Sequence, residues 1–467
     1  MGPKVLLWYD VEDYITEESD NALFALLAMM ESKGVKGTFK FVGEKIRVVD
    51  SRGRKDILNK VSGQDIGYHT DMHSEHPTIS EYCEPLGFTE GAAEFENREG
   101  VGLVDLVNIM DMPVSTYGQP GAAWAPQVFP VLRKWKIPTY VDSNDMIDLD
   151  CGPFWYGGIL TLTHIKGIMR MELEKDGLAN AKKQFDELLD EGVELVSIFY
   201  HPCEFSTLEF WDAVNFSLGE NTPRENWKGA RLREPGQMQY YVDMLGDFMD
   251  YLLSKGCEFI TASQLNDAEC FGKSDENPGY DVSDIREIAS IWDGDINYVS
   301  CRGLPLSASE AFSLLKGHLC GETLTPRLLY GPENDIPSDP EAEGTVNDFR
   351  KALSAEFPTV MGFSQLPDCF IVNSRKVNPV DMACTMAHII RNNPEDVEGV
   401  RVLKGNLAPV KHIRTEEYWG DMWPIFPINF KAGHLVEMAK LQAWTLKPAV
   451  FQACPAVHLD ESRSIQT

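Results

Sequence analysis

Three groups of residues in this 467-residue chain have types and spacings that could do chemistry. The first is Asp10–Val11–Glu12–Asp13, directly after the apolar run Lys4–Tyr9 (KVLLWY). Carboxylates at the mouth of a core strand are costly unless they are hydrogen-bonded or bound to metal, the competing reading being a surface turn of solvated acids. The second group runs from Gly67 to Pro77 (GYHTDMHSEHP) and holds three of the ten histidines within eight residues. His69 and His73 are four apart, so one helical turn would point both imidazoles the same way. Neutral imidazole is a common ligand for zinc and similar ions, and the same spacing serves the helical HExxH sites. The third group is Ser197–Glu204 (SIFYHPCE), where His201 ends a β-rich run and Pro202 stops the strand. Alone, His201 reads as a satisfied core histidine; its role depends on meeting the other two groups in space.

The elements that must position these residues are legible around them. Lys4–Tyr9, Gly37–Val42, Gln64–Tyr68, Thr139–Val141, Leu195–Tyr200 and Glu258–Thr261 read as short strands. Between them lie amphipathic helices. Asn21–Lys33 carries Leu23, Leu26, Leu27 and Met30 on one stripe and is closed by Gly34. Asn180–Glu191 and Met238–Ser254 are two more. Strands alternating with helices predict a parallel α/β architecture, in which functional residues gather where strands end.

The expected division is a catalytic barrel over residues 1–265, a polar linker over 266–284 and a smaller α/β domain over 285–467. The last part shows a weak internal duplication. Ser307 and Glu310 form one capping box, and Asn378 with Pro379 opens a second helix. Strand-like runs precede them (Ile296–Ser300, Cys369–Asn373) and follow them (Leu328–Gly331, Val400–Gly405), predicting two strand-helix-strand units. The aromatic stretch Trp419–Phe430 (WGDMWPIFPINF) reads as core or subunit interface, with sugar stacking as the alternative.

Composition narrows the function classes. Apolar residues make up 43% and charged residues 24%, which is ordinary for a globular protein. Against 42 Lys and Arg stand 72 Asp and Glu, a net charge of −30 spread over both halves. Non-specific binding to nucleic acid or anionic membranes needs clustered cations, so neither is an expected partner. No stretch approaches the ~18 apolar residues of a membrane span. The start MGPKVLLWYDVEDY lacks a basic flank and a long apolar core, and the ten cysteines form no CxxC pair. A cytoplasmic protein with reduced thiols is the expectation.

Together the three groups resemble the NodB-homology polysaccharide deacetylases, carbohydrate esterase family 4, over about residues 1–265 and in the family's order. His69-Thr70-x-x-His73 matches its H-[S/T]-x-x-H motif, and Asp10–Asp13 stands where the family has strand-end acids. Tyr117–Gly121 with Trp124–Pro126 is similar to its R-x-P loop, Tyr140–Ser143 to the next strand and acidic turn, and Phe259–Thr261 to the closing strand. The D-x-E-D and H-P-x-E motifs look closer to later variants than to members with adjacent aspartates. The resemblance implies a distorted barrel of about seven parallel strands and a divalent metal, zinc first, with cobalt, nickel or manganese as alternatives. It implies Asp10 as base, His201 as acid, His69 and His73 as metal ligands, Gly121 N–H as oxyanion donor, and Gln119 and Trp124 beside the substrate.

The third ligand stays open. If the strand continues, Glu12 shares a face with Asp10; if the chain turns at once, Asp13 takes the place. The family's arginine, which pairs with the catalytic aspartate, falls on Gly118, so the pKa of Asp10 should be lowered less. The implied activity is removal of an N-acetyl or similar acyl group from an amino sugar. The alternatives are a hydrolase of a small non-sugar amide or imide, and a catalytically silent binding or assembly protein. A homo-oligomer is compatible with all three.

Overall fold

Strand β1 (Lys4–Val11) is buried on both faces, and its two faces pack into different cores. Val5, Leu7, Tyr9 and Val11 join the large cluster beneath the surrounding helices. Leu6 and Trp8 join a second cluster with Val141, Leu160, Phe199 and Ile260, which come from strands on opposite sides of β1. A flat sheet cannot bring those residues together, so the sheet curls around this inner cluster.

The protein is described from a computed structural model covering residues 2–142, 146–149, 152–163, 167–169, 176–267, 271, 277–393 and 395–449. Ser143 of the predicted acidic turn lies outside these residues, as does part of the predicted linker. The sheet contains β1, β2 (Thr38–Phe41), β3 (Asp65–Tyr68), β4 (Thr116–Tyr117), β5 (Thr139–Asp142), β6 (Phe154–Tyr156), β7 (Ile159–Thr163), β8 (Gly167–Met169), β9 (Leu195–Tyr200) and β10 (Glu258–Ile260). Its order is β6-β7-β5-β4-β3-β2-β1-β9-β8, parallel throughout from β7 to β8. The distorted barrel is thus present, with more parallel strands than the expected seven. Its distortion has a local cause. The first half of β1 pairs with β10 (Lys4 opposite Glu258), and the second half pairs with β2 (Trp8 opposite Thr38).

The C-terminal part is built on helices Val282–Ile291, Ala308–Cys320 and Pro379–Asn392 with several two-stranded pairs. The repeated unit is a β-hairpin followed by a helix, where the sequence predicts strand-helix-strand. Val299–Cys301 with Leu304–Leu306 leads into one helix, and Phe370–Val372 with Arg375–Val377 into the other. Both hairpins turn through two positive-φ residues, Arg302 and Gly303 or Asn373 and Ser374, a turn that matches strand twist. Ser307 and Asn378 then accept from Glu310 N–H and Asp381 N–H as N-caps.

This part is packed onto the barrel. Lys447–Pro448 adds an antiparallel strand to β6, and the buried Lys447 ammonium lies 2.8 Å from Glu310. The hydroxyls of Tyr330 and Tyr156 donate to Gly157 O and Ala439 O across the same junction. The described cysteines are unpaired, and no described helix is long and apolar enough to cross a membrane.

Candidate metal centre and its surroundings

Because the strands are parallel, their C-terminal ends open on one side, and the period of two selects which side chains face inward. On β1 the even positions face in, so Asp10 follows Leu6 and Trp8, and Glu12 continues the series. His69 follows β3, and His201 follows β9. The three sequence groups therefore meet. His69 Nε2 lies 3.9 Å from Asp10 Oδ2 and 4.0 Å from Glu12 Oε2. His73 Nε2 is in close contact with Glu12 Oε2. His201 Nε2 lies 3.5 Å from Glu12 Oε1 and 3.8 Å from Asp10 Oδ2.

Of the two carboxylates left open as third ligand, Glu12 is the one brought to the histidines. Asp13 is turned away: its Oδ1 accepts from Ile15 N–H (2.9 Å) and Thr16 N–H (3.1 Å), and Thr16 Oγ1 occupies Oδ2. Those bonds close the turn into helix Glu17–Lys33. The buried Lys45 ammonium fixes the same turn through Asp13 O (2.5 Å) and Asp20 (2.6 Å).

The histidine pair converges without a helix. Residues 69–77 form a tight loop in which Thr70 (φ 67°) and His73 (φ 58°) are left-handed. Such conformations cost of order 1 kcal/mol or more and persist where surroundings enforce them. Here Gly43 N–H and Glu44 N–H donate to Thr70 O and Asp71 O, both at 2.8 Å. The buried Glu99 carboxylate accepts from Asp71 N–H (2.6 Å), and Tyr14 donates to Met72 O. His76 is engaged elsewhere, by Glu81 and Phe216 O.

Hydrogen bonds set the tautomers. His69 Nδ1 donates to Gly118 O at 2.8 Å, leaving the Nε2 lone pair available. Ser74 Oγ donates its one proton to Asp212 (2.8 Å), so it accepts from His73 Nδ1 at 2.5 Å. His73 Nε2 is therefore unprotonated, and it faces Glu12. This is the arrangement in which outer groups orient a metal-bound imidazole. Burial lowers both histidines to about 4, so they are neutral at pH 7. Burial raises Glu12 to about 7. Ligand atoms of Glu12, His69 and His73 all lie within 4.8 Å of one another. Glu12 Oε1 and His73 Nε2 are buried without a hydrogen bond. A buried acid facing two neutral imidazoles, with orphaned polar atoms, fits a divalent cation.

Asp10 has a cation that the sequence did not reveal. Lys40, fully buried on β2 directly opposite Asp10, places Nζ 2.9 Å from Asp10 Oδ1. The same ammonium donates to Val141 O (2.8 Å) and lies 4.1 Å from the Trp8 ring centre. Burial raises the pKa of Asp10, but His69, Lys40 and His201 together outweigh it and hold the carboxyl below its usual range. The position where the motif arginine would fall is Gly118, and the cation beside Asp10 comes from Lys40 on β2 instead. A Cβ on Gly118 would stand 2.2 Å from Lys40 Nζ and 2.6 Å from Val141 O, so no side chain fits there.

His201 Nδ1 lies 2.8 Å from Glu204. Burial would lower its pKa, but Glu12, Glu204 and Asp10 raise it to about 9, so it carries a proton at neutral pH.

The predicted substrate-side residues divide. Gly121 (φ 46°) lies at the site, with Trp423 packed so closely that a Cβ would meet its ring at 2.4 Å. Gln119 is instead a brace: it accepts from Tyr140 and donates to Gly121 O at 3.1 Å. Trp124 packs inward on Phe129 and Tyr156, and the indoles against His73 are Trp211 (5.4 Å) and Trp423 (5.8 Å). Sequence reasoning missed Lys40, Asp212, Trp211 and Trp423. Only Lys40 left a signal, as a lone charge inside the apolar strand GTFKFV.

The chain matches no protein-family model and no curated protein. Among solved structures it is similar to the Xyl-CE4 domain of a multidomain xylanase from the hindgut metagenome of Trinervitermes trinervoides. The identity is 13% and the TM-score 0.34, over 58% of this chain and 92% of that one. A CE4 esterase of Streptococcus mutans matches at 11% identity and TM-score 0.34, over 56% and 86%. A CE4 family pseudoenzyme from Bacillus anthracis matches at 11% and 0.32, over 56% and 64%. These three solved structures are CE4 proteins, one of them a pseudoenzyme.

Proposed function

We propose that the protein is a metal-dependent hydrolase of an amide C–N bond, removing an acetyl or similar small acyl group from an amino sugar. The observation that carries this reading is the buried triad of Glu12, His69 and His73 set between an ionised Asp10 and a protonated His201. A divalent cation held by that triad would supply Lewis acidity and a water of pKa near ~7. Asp10 takes the proton of the attacking water at Oδ2, while Lys40 keeps Oδ1 engaged. His201 donates its Nε2 proton to the departing nitrogen, and Glu204 holds the ring from Nδ1. The Gly121 N–H, to which no hydrogen bond is assigned among the described residues, would receive the oxyanion. Trp211 and Trp423 exclude water around His73.

Elemental analysis and amine release test the reading together. Wild type and Asp13→Asn should carry one equivalent of metal, and His69→Ala and Glu12→Gln should lose it. Zinc-loaded wild type should release free amine from N-acetylated amino sugars. Metal-free wild type under zinc excess would overturn the centre. A loaded protein that opens a cyclic imide but leaves N-acetyl sugars intact would move the assignment to a small non-sugar substrate, which the burial of the site also favours. Inertness towards both, with metal bound, would identify a silent homologue.

A further inference from the structure

The segment 412–431 of the C-terminal part crosses the open end of the barrel. At one side it is fixed by Arg414 N–H to Met146 O (2.9 Å) and Asp148 N–H to His412 O (3.0 Å). Further along, Leu218 N–H and Gly219 N–H donate to Pro424 O and Ile425 O, both at 2.9 Å. Residues 217–219 belong to the excursion after β9 that also carries Trp211. The two walls of the site are therefore tied to each other by backbone hydrogen bonds. Trp423 hangs from this bridge between the Gly121 backbone and the His73 ring. The side chains beneath are almost closed off: Glu12 and His73 are 1% exposed, Asp10 8% and His201 12%.

We propose that this bridge limits the substrate to an N-acylated amino sugar of one or two rings, and that Trp423 is the residue that sets the limit. The inference rests on the amide-hydrolase reading and adds substrate size to it. An enzyme working along a polysaccharide needs a cleft open at both ends, so that the chain can continue past the reacting residue on either side. Here backbone hydrogen bonds close the space through which the chain would run. A one- or two-ring substrate needs no through-path: it enters end-on once the Trp423 indole moves off Gly121, and the indole face then offers apolar contact to an acyl methyl or a sugar ring. The acidic surface acts in the same direction, repelling anionic polymers while leaving neutral sugars unaffected.

The test compares N-acetylglucosamine, its β-1,4 dimer and its tetramer as ligands of the full-length protein. With zinc-loaded wild type, kcat/KM should be at least tenfold higher for monomer or dimer than for tetramer. Calorimetric titration of the metal-free protein should show the same order of affinity, with no turnover involved. Trp423→Ala should raise the tetramer-to-monomer ratio about tenfold, chiefly through the tetramer KM, and Trp423→Phe should restore the wild-type ratio. Rising kcat/KM or affinity with chain length in wild type would overturn the size limit while leaving the hydrolase intact. A ratio unchanged in folded Trp423→Ala would remove Trp423 from the proposal. Calorimetric binding of none of the three sugars would overturn the inference whether or not metal is bound.

Discussion

Replacing Lys40 by methionine keeps most of the stem that lies on Trp8 and removes the charge 2.9 Å from Asp10. At an effective dielectric of about 20, that ion pair has a gross Coulomb energy of roughly 6 kcal/mol. The variant also escapes the cost of burying an ammonium, so the net loss is smaller; breaking buried pairs by removing one partner costs about 3–5 kcal/mol. The loss should depend on pH in a defined direction. In wild type the Asp10 pKa lies below its unfolded value, so its contribution is complete above that value and fades as pH falls through the folded pKa. In Lys40→Met, burial pushes the carboxyl up, and the destabilised anion is relieved by protonation as pH falls. Urea unfolding of both proteins in EDTA at pH 7.5 and pH 5 should therefore show a large difference at 7.5 that narrows at 5. The acid limb of kcat/KM should move to higher pH in the variant. A difference below about 1 kcal/mol at pH 7.5, or one equal at both pH values, would refute the assignment of Lys40 as the counter-ion of Asp10.

The remaining groups behind the site yield further expectations. Ser74→Ala frees His73 Nδ1 from its acceptor and should weaken zinc binding by about 10–100-fold in a chelator competition, with the fold intact by circular dichroism. Glu204→Gln removes one of the charges that raise His201, so the alkaline limb of kcat should move to lower pH. For the same reason, metal-free wild type should lose stability as pH rises from 6.5 through about 9, and Glu204→Gln should lose less over that window.

Short-range patterns made the barrel legible: apolar runs of strand length, helices with a 3.6 period, and acids or histidines at strand ends. Asp10, His69 and His201 could be named because each sits at the end of such a run, His73 because it lies four residues beyond His69, and parallel strands bring those ends together. Two local guesses failed for backbone reasons. The His69–His73 spacing suggested a helix, yet the turn is made by left-handed Thr70 and His73, held by hydrogen bonds donated by Gly43 and Glu44 and accepted by Glu99 that no local pattern announces. Glu12 and Asp13 could not be separated until it was known whether the inward series ran past the end of β1. What the sequence hid altogether was long-range. Asp212 reaches His73 through Ser74 across 138 residues, and Trp423 reaches Gly121 from beyond the predicted catalytic domain.

The cation beside Asp10 comes from Lys40 on β2, where the resemblance in sequence implied an arginine on the loop. An ammonium arriving from β2 occupies the volume that a side chain at residue 118 would need, and the approach of Val141 O keeps that position glycine whatever happens to Lys40. The two cations are not equivalent. A guanidinium fork binds both oxygens of a carboxylate, whereas an ammonium is a point charge. Lys40 engages Oδ1 alone, and Oδ2 is left facing His69 and His201. For a base, this matters more than the size of the pKa shift. The carboxylate stays ionised because one oxygen is paired, and it can take a proton because the other is not. Charge placement at Asp10, rather than a residue type at a fixed motif position, is therefore the property on which the proposed role of Asp10 as base depends.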